Sequence, residues 1–229
     1  MTSVRTKSKQ TNSPKRPSLA LPTLSTLAFG VVTTAALVVG LLSLRYALPH
    51  PPAPAPLPNF VSRRGALVIH AVSASVALLA GPWQFIANLR RRRPGLHRWT
   101  GRVYLAAVAA AWVSSVPLAL GAVGGTLSTF GFLGLGAAWI GSSGAGLAAI
   151  LRRRVGVHQD WMTRSYALTT AAITLRLYLV AAMLLHLPFV NAYRAISWLC
   201  WVPNLLVAEM IIWLRCRGQQ SSSELKSAA

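Results

Sequence analysis

Apolar residues run through this chain in blocks of about twenty, near 22–46, 65–87, 99–122, 126–151, 163–186 and 196–214, with polar residues gathered between them. As a helix rising about 1.5 Å per residue, a block of that length crosses the ~30 Å of a bilayer's hydrocarbon. The pattern therefore predicts an all-α integral membrane protein, a bundle of six transmembrane helices. The first block follows the basic stretch VRTKSKQTNSPKRP, as a secretory signal would. Its apolar core is too long for a signal peptide and no small-x-small cleavage site follows it cleanly, so it is read as a transmembrane helix.

Between the blocks the polar segments divide the chain. Residues 1–20 mix Ser, Thr, Lys and Pro without period and read as a disordered basic cytoplasmic arm, and residues 21–46 form the first helix. PHPPAPAPLP lies within a Pro-rich outer loop at 47–64, a polyproline spacer that separates the first span from a five-helix membrane domain at 65–214. Residues 215–229 form a cytoplasmic tail. In the fourth span, Gly134, Ala138, Ser142 and Gly146 make a stripe of small residues one turn apart, which predicts close helix contact inside the bundle.

Two junctions are alike. LRRRRPGLHRWTGRVY and LRRRVGVHQDWMTRSY each combine an arginine run, a glycine and a histidine at the start of an apolar block. His97, Trp99, Arg102 and Tyr104 correspond to His158, Trp161, Arg164 and Tyr166, with one extra residue in the second copy. Spans 2–3 and 4–5 are thus predicted to be two copies of a helical hairpin, related by a pseudo-twofold axis, that form the core of the bundle.

Composition agrees with a membrane protein: 54% of the residues are hydrophobic and 11% charged, the latter less than half the ~25% of soluble domains. A net charge of +20 would suggest nucleic acid in a soluble chain. With the N-terminus in the cytoplasm, however, 18 of the 23 basic residues fall on the cytoplasmic side and 4 outside. Arg176 lies within the fifth span. The charge is explained by topology and by anionic headgroups at the cytoplasmic face, and nucleic acid is not a predicted partner. The expected location is a bacterial cytoplasmic (inner) membrane, with both termini cytoplasmic.

Few residues are equipped for chemistry. His97 and His158 sit in first helical turns, where helix polarity disfavours imidazolium and free amides point outwards. A neutral imidazole suits haem iron, whereas the same geometry with nearby arginines suits a phosphate. Below them run Gly101, Tyr104, Val108, Ala111 and Ser115, and Met162, Ser165, Thr169, Ala172 and Arg176, small to medium faces able to line a planar slot or to pack tightly. His70 lies inside the second span, with His186 its nearest partner by depth, while His50 lies in the proline loop. Arg176 and Glu209 are charges within spans that seek partners, each other or Asn204. Cys200 and Cys216 are too far apart on one helix to pair, and there is no CxxC or CxxCH. No GxSxG, P-loop or HExxH occurs, and three carboxylates in the whole chain offer no acid–base pair.

GPWQF, LHRWTGRVY, HQDWMTRSYALT with TLRLY, and WLCWVPNLLVAE resemble the bacterial membrane-protein family known as domain of unknown function 2306, over about residues 65–212. That resemblance implies a topology and no activity. The architecture is also similar to the cytochrome b561 group, in which histidine pairs from spans 2 and 4 and from spans 3 and 5 hold two b-type haems. This likeness implies a b-type haem between His97 and His158, with Arg102, Arg164, Tyr104 and Tyr166 beside it. Span 4 has no histidine to pair with His70, so at most one haem follows. Three functional classes stand: a haem redox protein, a non-enzymatic anionic-lipid-binding or interaction protein, and a small-molecule or proton transporter using His70, Arg176 and Glu209.

Reporter fusions in 88–98, in 152–160 and at the C-terminus should all read cytoplasmic, and one in 50–60 external. Opposite readings at two of these sites would reverse the orientation.

Overall fold

The computed structural model describes residues 24–48 and 62–227. The arm at 1–20 and most of the proline loop, His50 included, lie outside the described residues. Among the described residues there is no strand. The helices are α1 (Leu24–Ser43, continued by a 3-10 turn at Leu44–Ala47), α2 (Arg64–Phe85), α3 (Ala87–Arg92), α4 (Pro94–Leu120) and α5 (Thr126–Leu151). They are followed by α6 (Val155–Thr169), α7 (Ala171–Leu184), α8 (Phe189–Leu199) and α9 (Val202–Ser227). Six stretches are long and apolar enough to cross a bilayer, the last two each being a pair of helices, α6 with α7 and α8 with α9.

Both divided spans break for local reasons. At the α6–α7 junction, Thr169 donates to the Ser165 carbonyl (2.9 Å) and Thr170 to that of Ala167 (2.6 Å), competing with the backbone ladder and bending the helix. At the α8–α9 junction, Pro203 has no N–H to offer the Leu199 carbonyl. The two breaks lie side by side. Asn204 Nδ2 donates to the Ala167 carbonyl (3.3 Å) and to Thr170 Oγ1 (3.2 Å), and the Thr174 hydroxyl donates to the Cys200 carbonyl. Spans 5 and 6 therefore start at Val155 and Phe189, earlier than the 163 and 196 that apolar content alone predicts. Trp201, within the sixth span, packs on the core beside Gly134.

The core is two antiparallel hairpins, α2 with α4 and α5 with α6, the pairs with the most extensive contacts. Each hairpin inserts one tyrosine into the other. Tyr104 of α4 reaches α6, where its hydroxyl meets Ser165 Oγ and Thr169 Oγ1, both at 2.7 Å. Tyr166 of α6 lies against Gly81 of α2, with its ring 5.4 Å from Phe85. A Cβ on Gly81 would stand 2.0 Å from the Tyr166 ring, so only glycine fits there. The reciprocal insertion gives physical form to the repeat.

The remaining spans wrap the core. α5 is enclosed by α4, α6 and α8, with Ser142 and Gly146 of its small stripe buried. α1 docks on α2 and α7 through Ala36, Leu78 and Ile173, and Gly40 receives Leu79. α9 lies along α6 and continues to Ser227 through the stretch read as the tail. Gly124 and Gly125, at φ 96° and 69°, make the left-handed turn that joins the hairpins.

Gly81→Ala should destabilise the purified protein by about 1–3 kcal/mol, the usual penalty of overpacking. Adding Tyr166→Leu should recover part of that loss in a detergent unfolding assay. A Gly81→Ala variant as stable as the parent would contradict the tyrosine seat.

Candidate functional site

Three groups of polar side chains lie in or beside the bundle. The first is the hydroxyl network around Tyr104, about 15 Å along α4 from its start. Besides the bonds to Tyr104, Ser165 Oγ meets Ser143 Oγ at 2.7 Å, and Trp139 Nε1 donates to Thr169 Oγ1 at 2.9 Å. All five side chains are buried. Their polar atoms bond to one another, as the absence of water in hydrocarbon requires. This group holds structure together and leaves no donor for a ligand. Ser165 and Thr169 stand on the face that the sequence places below His158. Trp139 and Ser143 carry no sequence signal, because they belong to a hairpin whose rotation is set only by packing.

The second group lies at the arginine-rich end. Pro94 opens α4, and a left-handed Arg153 (φ 58°) ends α5 tightly enough for α6 to start at once. The tight reversal folds His158 back on α5, where its Nδ1–H donates to the Gly146 carbonyl at 2.7 Å. In the first hairpin the extra helix α3 lengthens the same connection, and Gln84 bonds Thr100 at 2.6 Å. His97 is left with a buried Nδ1 that has no hydrogen-bond partner. It lies within electrostatic reach of His158, Arg90 and Arg98. Neither helix start has a side-chain cap, and a Cβ built on Gly95 or Gly156 meets nothing within 4 Å.

The other residues of the predicted site divide. Arg102 is exposed, on the side of α4 away from Tyr104. Arg164 lies over the Trp161 ring at 4.6 Å and forms a two-pronged pair with Glu209, Nε–Oε1 at 2.6 Å and Nη2–Oε2 at 2.8 Å. Asp160 pairs with Arg215 at 3.2 Å. This corrects the expected partnership of Arg176 with Glu209. Helical counting separates the two by about 10 Å in depth, whereas Arg164 of α6 faces Glu209 directly. Asn204 is likewise bonded to α6 and α7 rather than to Arg176.

Haem is a poor fit. The faces below the two histidines, read from sequence as a slot or a packing surface, are packed. Tyr104, Val108, Tyr166 and Leu168 belong to one buried cluster, and the hydroxyl network closes it. His158 has its Nε2 left over by the Gly146 bond, but among the described residues the faces of α4 and α6 that run below the two histidines are filled by side chains. Among the described residues no group of three or more His, Cys, Asp or Glu side chains could hold a metal ion.

The third group lies towards the other end. His70 of α2 donates from Nδ1 to the Ala111 carbonyl at 2.9 Å rather than meeting His186, which is exposed at the end of α7. Arg176 of α7 donates from Nη1 to the Ala172 carbonyl and from Nη2 to Ser43 Oγ, both at 2.7 Å. It thereby ties the fifth span to the first.

No curated protein and no solved structure matches the chain. The profile of one family, described as a predicted membrane protein and designated DUF2306, matches residues 67–212, which include both hairpins and both histidine-bearing helix starts. With more than half its length matched, the chain belongs to the DUF2306 family of predicted membrane proteins.

Proposed function

We propose that this protein is a membrane-embedded binding protein that holds an anionic group, the phosphate of a lipid headgroup, between the paired starts of α4 and α6. The observation that carries the reading is His97, whose buried Nδ1 has no partner although it lies within reach of His158, Arg90 and Arg98. In the tautomer with its hydrogen on Nδ1, that buried N–H is a donor without an acceptor, a role that an anionic oxygen fills. Arg90 and Arg98, within electrostatic reach of the same ring, supply further N–H donors, while His158 keeps its Nδ1–H on the Gly146 carbonyl.

The backbone supports the same chemistry. Uncapped first-turn amides and the positive ends of two helices favour an oxyanion, and Gly95 and Gly156 leave room for its approach. The positive excess at this end suits the anionic lipid of a cytoplasmic leaflet and supports both termini in the cytoplasm. The packed core below weighs against a redox role through haem.

Native mass spectrometry of the full-length protein in mixed phosphatidylglycerol and phosphatidylcholine micelles tests the proposal. The parent should retain phosphatidylglycerol in preference to phosphatidylcholine, and His97→Gln with His158→Gln should lose most of that preference. Equal retention by both proteins, or a b-type difference spectrum that vanishes in the double variant, would refute it.

A further inference from the structure

We propose that Arg176 and His70 form a second receptor, for a single oxyanion, in the half of the bundle opposite the arginine-rich end. A guanidinium inside a span seeks a counter-charge or backbone carbonyls, and among the described residues no carboxylate pairs with Arg176. The chain contains three carboxylates in all. Asp160 and Glu209 are paired with Arg215 and Arg164, and Glu224 lies further along α9, beyond Glu209. The segment that joins α1 to α2 contains no Asp or Glu.

What surrounds Arg176 is neutral or positive. Its described contacts are the Ala172 carbonyl and the Ser43 hydroxyl, which use two of a guanidinium's five donors. Ser43 turns its own hydrogen to the Val39 carbonyl at 2.6 Å, so its oxygen is an acceptor and brings no charge. His70 lies within electrostatic reach of Arg176, and its Nδ1 is held by Ala111, which leaves Nε2 as the polar atom available to a ligand. A further arginine stands within electrostatic reach, Arg45 over the Tyr46 ring at 5.3 Å. α7 packs chiefly on α8 and α1 and leaves Leu177 and Val180, in the turn after Arg176, exposed.

The chemistry that completes this site is one carboxylate or phosphate. Arg176 offers it the planar fork that suits two oxygens, and His70, once protonated, offers Nε2–H to the same group. His70 lies about 9 Å below the start of α2, a depth open both to an anionic lipid of the adjoining leaflet and to an anion from water.

The thermal midpoint of the full-length protein in neutral detergent tests the site, in the His97→Gln, His158→Gln background that removes the other proposed site. Phosphatidylglycerol and inorganic phosphate are titrated separately, and whichever source is used should raise the midpoint. Arg176→Gln should abolish that rise and His70→Gln should reduce it. If Arg176→Gln does not fold, Arg176→Lys, which keeps the charge without the fork, should show a weaker rise than the parent. A rise undiminished in Arg176→Lys and His70→Gln, or no rise with either anion in the parent, would overturn the proposal. Loss of phosphatidylglycerol preference at the arginine-rich end alone leaves this result unchanged.

Discussion

Inside a bilayer, helices gain nothing by hiding apolar surface from water, so packing and internal hydrogen bonds must hold them together. The Tyr104 hydroxyl is where this constraint bears hardest. It is buried among α4, α5 and α6, and it meets Ser165 and Thr169, which in turn engage Ser143 and Trp139. Leaving any of these groups unpaired in hydrocarbon would be costly, so the hairpins have one favoured rotation about each other. The Tyr166 ring against Gly81 enforces the same arrangement from the other side. In that arrangement His97 and His158, at the starts of α4 and α6, lie within electrostatic reach of one another.

The repeat is close enough to build a common framework and unequal where the copies differ. The tight α5–α6 reversal gives His158 a carbonyl partner, whereas α3 in the other connection deprives His97 of one. The hydroxyl network is fully used by the fold. The donors that the fold leaves over, at His97 on one end and on the rest of the Arg176 guanidinium at the other, are the ones on which the two proposals rest. Function on this account belongs to the exceptions in an otherwise self-satisfied bundle.

Much of this could be read from the chain. Six apolar blocks are legible because bilayer thickness imposes a length that few soluble segments reach, and the shared His, Trp, Arg and Tyr spacing identifies the hairpin repeat. The small stripe in α5 correctly marks an enclosed helix. The helix breaks were hidden, since Thr170 and Pro203 act through local hydrogen bonding that a hydropathy window averages away. Partner choice was hidden too. Depth along a helix says which charges are level with one another but not which way each faces, and so Glu209 was matched to Arg176 instead of Arg164. The identity of Tyr104's partners depends on the rotation of α6 against α4, which only the assembled bundle specifies.

The central claim is that the shared hydroxyls couple the two hairpins. A double-mutant cycle of Tyr104→Phe and Thr169→Val, followed by reversible unfolding in bilayer discs, measures that coupling directly. The account predicts that each single change destabilises the protein and that the pair together costs less than the sum, with a coupling of about 0.6–1.7 kcal/mol, as for other interhelical hydrogen bonds in membranes. Strictly additive effects would show that the two residues act independently, and would contradict a bundle held in register by this network.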